Sequence, residues 1–212
     1  TTVGGNSTLA AGSGLITLGA TTIADSTTLT LGTGGSGGVT VASLAGTAGG
    51  VANSSNATFN VTGAVGVTNT VGTDFGTLTV TNSSGTTFGG AVGGAADRIA
   101  TVALANTTGT IAFNGNLYAT SLTAANGAGG YAVAMNGANT DITNAVNFLN
   151  VGNVAFGDNG DALLFTGGVT HTAGTNSIFG GITATDNAIN LNSITTVGGN
   201  STLAAGSGLI TL

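Results

Sequence analysis

The amino-acid sequence predicts an all-β fold, and within that class a right-handed parallel β-helix, a solenoid in which each coil stacks on the coil before it. Three observations lead to this prediction. Short alternating or apolar segments recur along the chain, turn-forming residues separate them, and one 18-residue segment occurs twice. The right-handed sense is expected from the chirality of parallel crossover connections.

The composition favours β-structure around a thin core. Of the 212 residues 40 are Gly, charged residues make up 4%, and Pro, Cys and Trp are absent. A disordered chain would combine low hydrophobicity with high charge, whereas 41% of this chain is hydrophobic. Gly and β-branched residues are poor helix formers. Because only 5% of the residues are aromatic, we expect small side chains to fill a narrow core.

The strand pattern consists of segments three to five residues long that alternate in polarity or are wholly apolar. They include residues 15–18, 28–31, 39–41, 59–61, 78–80, 111–113, 131–135, 163–165 and 189–191, with glycine- and asparagine-rich turns at 34–38, 82–85 and 126–130. Coils of about 20 to 25 residues would give about eight to ten coils per 194 residues, or about 40 to 50 Å of axial length. A string of β-sandwiches is the alternative, although sandwich strands are longer and have more large core residues.

A second motif is a Phe followed by a glycine-rich step and then a β-branched residue or Leu. It occurs at Phe88, Phe113, Phe165 and Phe179, with a looser copy at Phe59. The motif predicts a bend between two short strands, in which Gly adopts a positive φ and the Phe ring fills the core beside it.

The internal repeat predicts the domain organisation. Residues 1–18 and 195–212 both read TTVGGNSTLAAGSGLITL, so that all 18 positions match at an offset of 194. We interpret residues 1–194 as one period of a tandem array and residues 195–212 as the start of the next identical period. A domain with duplicated end pieces is the alternative. In the array, the residues after Leu212 would have to continue as residues 19–23 do.

Four stretches resemble the repeats of giant bacterial surface adhesins. They are residues 86–94 (TTFGGAVGG), 99–104 (IATVAL), 112–117 (AFNGNL) and 163–169 (LLFTGGV). The families concerned are the filamentous-haemagglutinin-like and the autotransporter-passenger proteins. The resemblance implies a right-handed β-helical stalk that is exported and displayed outside the cell.

The side chains that could perform catalysis are few. His171 is the only histidine and lies in an alternating strand without a Cys or Glu partner, which favours a surface or corner position. Asp97 and Arg98 are the one adjacent charge pair and are interpreted as a solubilising loop pair. Polysaccharide-cleaving β-helices need clustered carboxylates with basic residues, and this chain has seven scattered Asp and one Arg. We therefore expect no enzyme and no cofactor.

The most ligand-like segment is Asp158, Asn159 and Asp161, which follow Gly157 closely. Carboxylate and amide oxygens are ligands that Ca²⁺ prefers. The spacing matches neither an EF-hand nor a β-roll nonapeptide. A plain turn, in which Asp and Asn bond their own backbone, is therefore the favoured interpretation, and a Ca²⁺ site is the alternative.

The function predicted is structural: a repetitive solenoid that builds an extracellular filament, sheath or matrix fibre. The alternatives are the rigid stalk of a cell-surface adhesin and, less favoured, a polysaccharide-active enzyme. The expected partner is the chain itself, head to tail and in lateral bundles, with cell surfaces or glycans as further candidates. The net charge of −6 argues against nucleic-acid binding, and no apolar run reaches a membrane-spanning length. The lack of Cys is consistent with a secreted protein.

Ice binding is a further alternative. Thr-x-Thr stretches such as residues 28–30 and 170–172 are similar to the threonine arrays of ice-binding solenoids. Their irregular spacing along the chain predicts that they do not form aligned ranks.

Overall fold

The computed structural model describes residues 1–191 and 195–212. This part of the chain contains 24 β-strands and no helix. The strands are β1 (Thr2–Val3), β2 (Ser7–Leu9), β3 (Ile16–Ile23), β4 (Thr28–Leu31), β5 (Val39–Gly46), β6 (Ser55–Asn60), β7 (Val65–Val67), β8 (Phe75–Ser83), β9 (Thr86–Phe88), β10 (Ile99–Thr107), β11 (Thr110–Phe113), β12 (Leu117–Ala124), β13 (Ala132–Met135), β14 (Asn139–Ile142), β15 (Val146–Phe148), β16 (Val154–Phe156), β17 (Ala162–Phe165), β18 (Val169–His171), β19 (Asn176–Ile178), β20 (Gly181–Thr183), β21 (Ile189–Asn190), β22 (Thr195–Val197), β23 (Thr202–Ala204) and β24 (Ile210–Thr211).

The strands pair in parallel with strands of the coils before and after, and together they form a β-solenoid of about nine turns. A coil takes between 19 residues, from Asn176 to its partner Thr195, and 28 residues, from Leu29 to its partner Ala57. The predicted all-β solenoid is confirmed. The sandwich alternative is wrong, because sandwiches are built from antiparallel strands.

Each turn contributes strands to three stacks, which we call faces 1, 2 and 3. Face 1 contains a register row through Ile16, Val39, Val65, Thr86, Ile111, Val133, Val154, Asn176 and Thr195. Face 2 contains a row through Thr21, Leu44, Val71, Val92, Leu117, Thr140, Leu163, Ile182 and Leu203. Face 3 contains a row through Leu9, Leu31, Phe59, Val80, Leu104, Ala124, Phe148 and His171. Long strands pass a corner: in β3, residues 16–18 lie on face 1 and residues 20–23 on face 2.

The core is a column of inward-facing side chains that alternate with outward-facing ones along each strand. Seven of the eight phenylalanines are at most 1% exposed. On face 1, the rings of Phe88 and Phe113 stack at 5.1 Å between centroids with an interplanar angle of 12°. The expected core positions of Phe59, Phe88, Phe113 and Phe165 are confirmed. The expectation for Phe179 is wrong, since its side chain is 37% exposed.

The glycines after these phenylalanines serve mainly for close stacking. Among the motif glycines only Gly168 has a positive φ, of 90°. A Cβ at Gly115 would lie 2.3 Å from the carbonyl carbon of Gly90, and a Cβ at Gly90 would lie 2.5 Å from the carbonyl carbon of Asn69. The expectation of a positive φ is therefore wrong at most copies of the motif. Gly is required because the backbones of successive turns approach too closely for a side chain.

Candidate functional surface

The carboxylates mainly accept backbone N–H groups at the corners of the coils. Asp97 accepts from the backbone N–H of Asp74 at 2.9 Å, and Asp74 accepts from that of Asn53 at 2.7 Å. Asp25 and Asp186 accept in the same way from residues of the following coil, Val51 and Ser207. For Asp186 these hydrogen bonds to Ser207 lower the carboxyl pKa. Sequence reasoning missed this role; Asp25 next to Ser26 and Asp186 next to Asn187 carry its turn signal, whereas Asp74 and Asp97 have no such neighbour.

The predicted ligand segment, Asp158, Asn159 and Asp161, lies in the turn between β16 and β17. Within it, the backbone N–H of Asp158 donates to Oδ2 of Asp161 at 2.9 Å, which is the geometry of a self-bonded turn. Desolvation and then the neighbouring charge of Asp161 raise the pKa of the Asp158 carboxyl. The turn borders an open depression of about 300 Å³ next to Phe179. In the described part of the chain, no group of three or more His, Cys, Asp or Glu side chains forms a metal cluster.

Arg98 pairs across coils. Its Nη1 donates to the backbone oxygen of Asp141 at 2.8 Å, and its Nη2 forms an ion pair with Oδ2 of the same residue. The hydrogen bond to this carboxylate is the main cause of the raised pKa of Arg98. The interpretation of Asp97 and Arg98 as a pair is wrong, because the guanidinium of Arg98 binds Asp141 while the carboxylate of Asp97 accepts from the backbone N–H of Asp74.

A shallow groove of about 310 Å³ lies on face 2 beside this ion pair. Tyr118, Asn139, Asp141 and Thr183 contribute polar or aromatic groups to it. An aromatic ring with nearby amide and carboxylate oxygens can contact the apolar face of a sugar and accept hydrogen bonds from its hydroxyls.

His171 is fully buried, so the prediction of a surface or corner histidine is wrong. It occupies the inner row of face 3 directly after Phe148, whose ring meets the imidazole edge to face at 6.1 Å. Its Nδ1 lies 2.7 Å from Oδ1 of Asn176, and its Nε2 lies 2.9 Å from the backbone oxygen of Asn150. Both ring nitrogens therefore lie within hydrogen-bonding distance of an oxygen atom, and the Nδ2 group of Asn176 donates to the backbone oxygen of His171 and to Oγ1 of Thr195. The cluster is a hydrogen-bonded part of the core.

The outer rows of faces 1 and 3 consist of small side chains. The outer row of face 1 runs through Thr17, Thr40, Gly66, Thr87, Ala112, Ala134, Ala155, Ser177 and Thr196. On face 3, Thr8, Thr30, Thr58 and Thr79 are register partners on four successive coils. The expectation that threonines form no aligned ranks is therefore wrong for this part of face 3. Coil lengths differ along the chain, but the strands stay in register because the loops at the corners differ in length.

A scan against protein-family models, a search of curated proteins and a search of solved structures each found no match. The resemblance to adhesin repeats therefore rests on the residues quoted above. No helix in the described residues is long and apolar enough to cross a membrane.

Proposed function

We propose that this chain is a structural protein, a rod-forming segment of an extracellular filament, sheath or matrix fibre. The observation that supports it best is the position of the repeated segment. Residues 1–18 form strands β1, β2 and the first part of β3 in the first coil, and residues 195–212 form β22, β23 and β24 in the last coil. Both copies are thus coils of one stack, as a period and its continuation would be.

The surface supports a structural rather than a catalytic role. Five of the seven Asp carboxylates accept a backbone N–H within a turn or between coils. The one arginine is paired with Asp141, and the one histidine is fully buried. The outer rows of small side chains would let two rods approach closely, which favours lateral bundles of the same chain.

Chains of one, two and three periods test the proposal by their length. Nearly nine coils at about 4.8 Å each predict that every added period lengthens the rod by about 40 Å at constant cross-section. Small-angle scattering and negative-stain images of the purified chains measure both dimensions. A particle that grows in width, or periods that tumble as separate beads, would reject the rod.

An adhesin stalk would use the same rod to hold a separate binding domain away from the cell. The groove beside Tyr118 and Asp141 is the observation that favours an adhesive role for the segment itself. Binding of the purified chain to a glycan array, lost in Tyr118→Ala and retained in Tyr131→Phe, would support that role. Tyr131 is a suitable control because it is fully buried.

Ice binding is a second candidate, favoured by the aligned threonines of face 3. Thr30, Thr58 and Thr79 are register partners on successive coils, so that their hydroxyls recur about 4.8 Å apart along the axis. Thr28 and Thr77 add hydroxyls about 6.7 Å further along the first and the last of these three strands. Such a lattice of hydroxyls can order water. Arrest of ice recrystallisation by the chain, lost in Thr79→Lys but not in the face 1 variant Thr87→Lys, would support it. An inactive unmodified chain would exclude it.

A further inference from the structure

The structure assigns an interaction surface to the coil formed by residues 195–212, and its partner is the next period of the same chain. We propose that successive periods form one uninterrupted solenoid in which each period is turned by one face relative to the period before it. The inference rests on the proposed tandem fibre and specifies how its units join. It is carried by the strand register and by a comparison of the two identical 18-residue segments.

The first copy, residues 1–18, starts on face 2. Thr2 and Val3 pair with Thr22 and Ile23, in the part of β3 that belongs to face 2. Residues 7–9 then pair with residues 29–31 on face 3, and residues 16–18 pair with residues 39–41 on face 1. The three strands of this copy therefore occupy faces 2, 3 and 1 in chain order.

The second copy, residues 195–212, starts on face 1. Residues 195–197 pair with residues 176–178, at the end of the row that begins at Ile16. Residues 202–204 pair with residues 181–183 on face 2, and residues 210–211 pair with residues 189–190 on face 3. The same sequence therefore forms the same three strands on faces 1, 2 and 3. One period is one strand short of nine full turns.

Apolar side chains of the last coil are exposed where the equivalent side chains of the first copy are buried. Val3 is 8% exposed beneath the second coil, whereas its equivalent Val197 is 56% exposed. Ile16 is 7% exposed, whereas its equivalent Ile210 is 40% exposed. The side chains are identical and each copy has one neighbouring coil, so the difference comes from the side on which that coil lies: residues 20–46 follow the first copy, and residues 176–190 precede the second. The uncovered strand edges and apolar side chains of the second copy fit the coil that covers the first, residues 20–46.

Continuation in this way turns every surface feature from face to face. A feature on face 3 of one period would lie on face 2 in the following period, and it would return to the same side after three periods. Three periods comprise 26 turns, about 125 Å of axis. A lateral neighbour would thus meet each kind of face in succession, and rods could associate equally on all three sides.

Disulfide trapping in the 212-residue chain tests the rotation, since the sequence contains no Cys. Ser177 and Thr196 are outward-facing register partners on face 1, so Ser177→Cys with Thr196→Cys should form a disulfide under a glutathione redox buffer. If the second copy occupied the same faces as the first, Thr196 would instead lie beside Thr183 on face 2. The matched pair Thr183→Cys with Thr196→Cys should therefore crosslink on the order of tenfold less.

The pair Thr87→Cys with Ala112→Cys, register partners in the middle of face 1, is the positive control. Crosslinking of 183 with 196, or of neither test pair while the control closes, would overturn the rotation. These outcomes differ from failure of the proposed function. A rod that lengthens with each period while 183 and 196 crosslink keeps the fibre and rejects the rotation. Crosslinking of 177 with 196 in chains that do not lengthen rejects the fibre.

Discussion

Replacing Phe113 by alanine removes the middle of the aromatic row on face 1. Phe113 is fully buried, stacks on Phe88 at 5.1 Å, and has Met135 as its register partner in the next coil. A solenoid coil contacts only its neighbours, so a cavity in a central coil weakens the contact between the two halves of the rod.

The loss of stability follows from the removed ring and the cavity. Truncation of a fully buried Phe costs about 3 to 5 kcal/mol, of which about 1 kcal/mol comes from the lost ring pair. With a urea dependence of about 2 kcal/mol per molar, the midpoint of unfolding falls by about 2 M. Urea titration followed by far-ultraviolet circular dichroism measures this shift. Two separate transitions would also be consistent with halves that unfold independently.

The matched control is Phe179→Ala, because this ring is the same size and is 37% exposed. We expect its midpoint to change by less than about 0.5 M, corresponding to at most about 1 kcal/mol. Equal shifts in the two variants would refute the reasoning, since they would mean that the row on face 1 is not the packed interior.

The remaining predictions concern glycine stacking, a buried phenol and the ion pair. Gly115→Ala should destabilise the chain by about 1 to 3 kcal/mol, because its Cβ would lie 2.3 Å from the backbone of Gly90. Its control, Gly66→Ala, should be neutral or slightly stabilising, because a Cβ there has no atom within 4 Å. Indistinguishable thermal melts of the two variants would contradict this prediction. Burial raises the pKa of the Tyr131 phenol, so its contribution to stability is complete below about pH 10 and is lost as the pH rises towards the folded-state pKa. The free energy of unfolding, measured by urea titration, should therefore fall by up to about 1.4 kcal/mol per pH unit above about pH 10, and Tyr131→Phe should reduce that slope. An unchanged slope in Tyr131→Phe would exclude Tyr131 as its source. Arg98→Ala should lower the free energy of unfolding by less than about 1 kcal/mol, since the side chains of Arg98 and Asp141 are both about a quarter exposed. This loss should become smaller in high salt, because salt screens surface charges. A larger loss that does not depend on salt would show that the pair is not a surface ion pair.

Local patterns were sufficient for the strands and for part of the core. Residues 78–80 and 111–113 alternate or are apolar over a short span, and they lie in β8 and β11. Such a pattern depends only on the two-residue period of a strand. The ring positions of Phe88 and Phe113 followed from the same pattern, because an apolar residue between small or polar ones points inward.

Contacts between coils could not be derived in this way. Arg98 reaches Asp141, 43 residues further along the chain. His171 is buried because it follows Phe148 in the inner row of face 3. Both facts depend on the register between coils, and coil length varies from 19 to 28 residues. Spacing along the chain therefore does not indicate which residues become neighbours.

By itself, the sequence determined that this protein is β-structured, coiled, nearly uncharged and internally repeated. These properties depend on residue types and on periods within a few residues. Only the tertiary structure decided which carboxylates join the corners, which threonines align, and on which faces the two identical segments lie. The physical reason is that backbone hydrogen bonds between neighbouring coils align the strands, while the loops at the corners differ in length. The register is therefore a property of the stacked coils and does not follow from the spacing of residues along the chain.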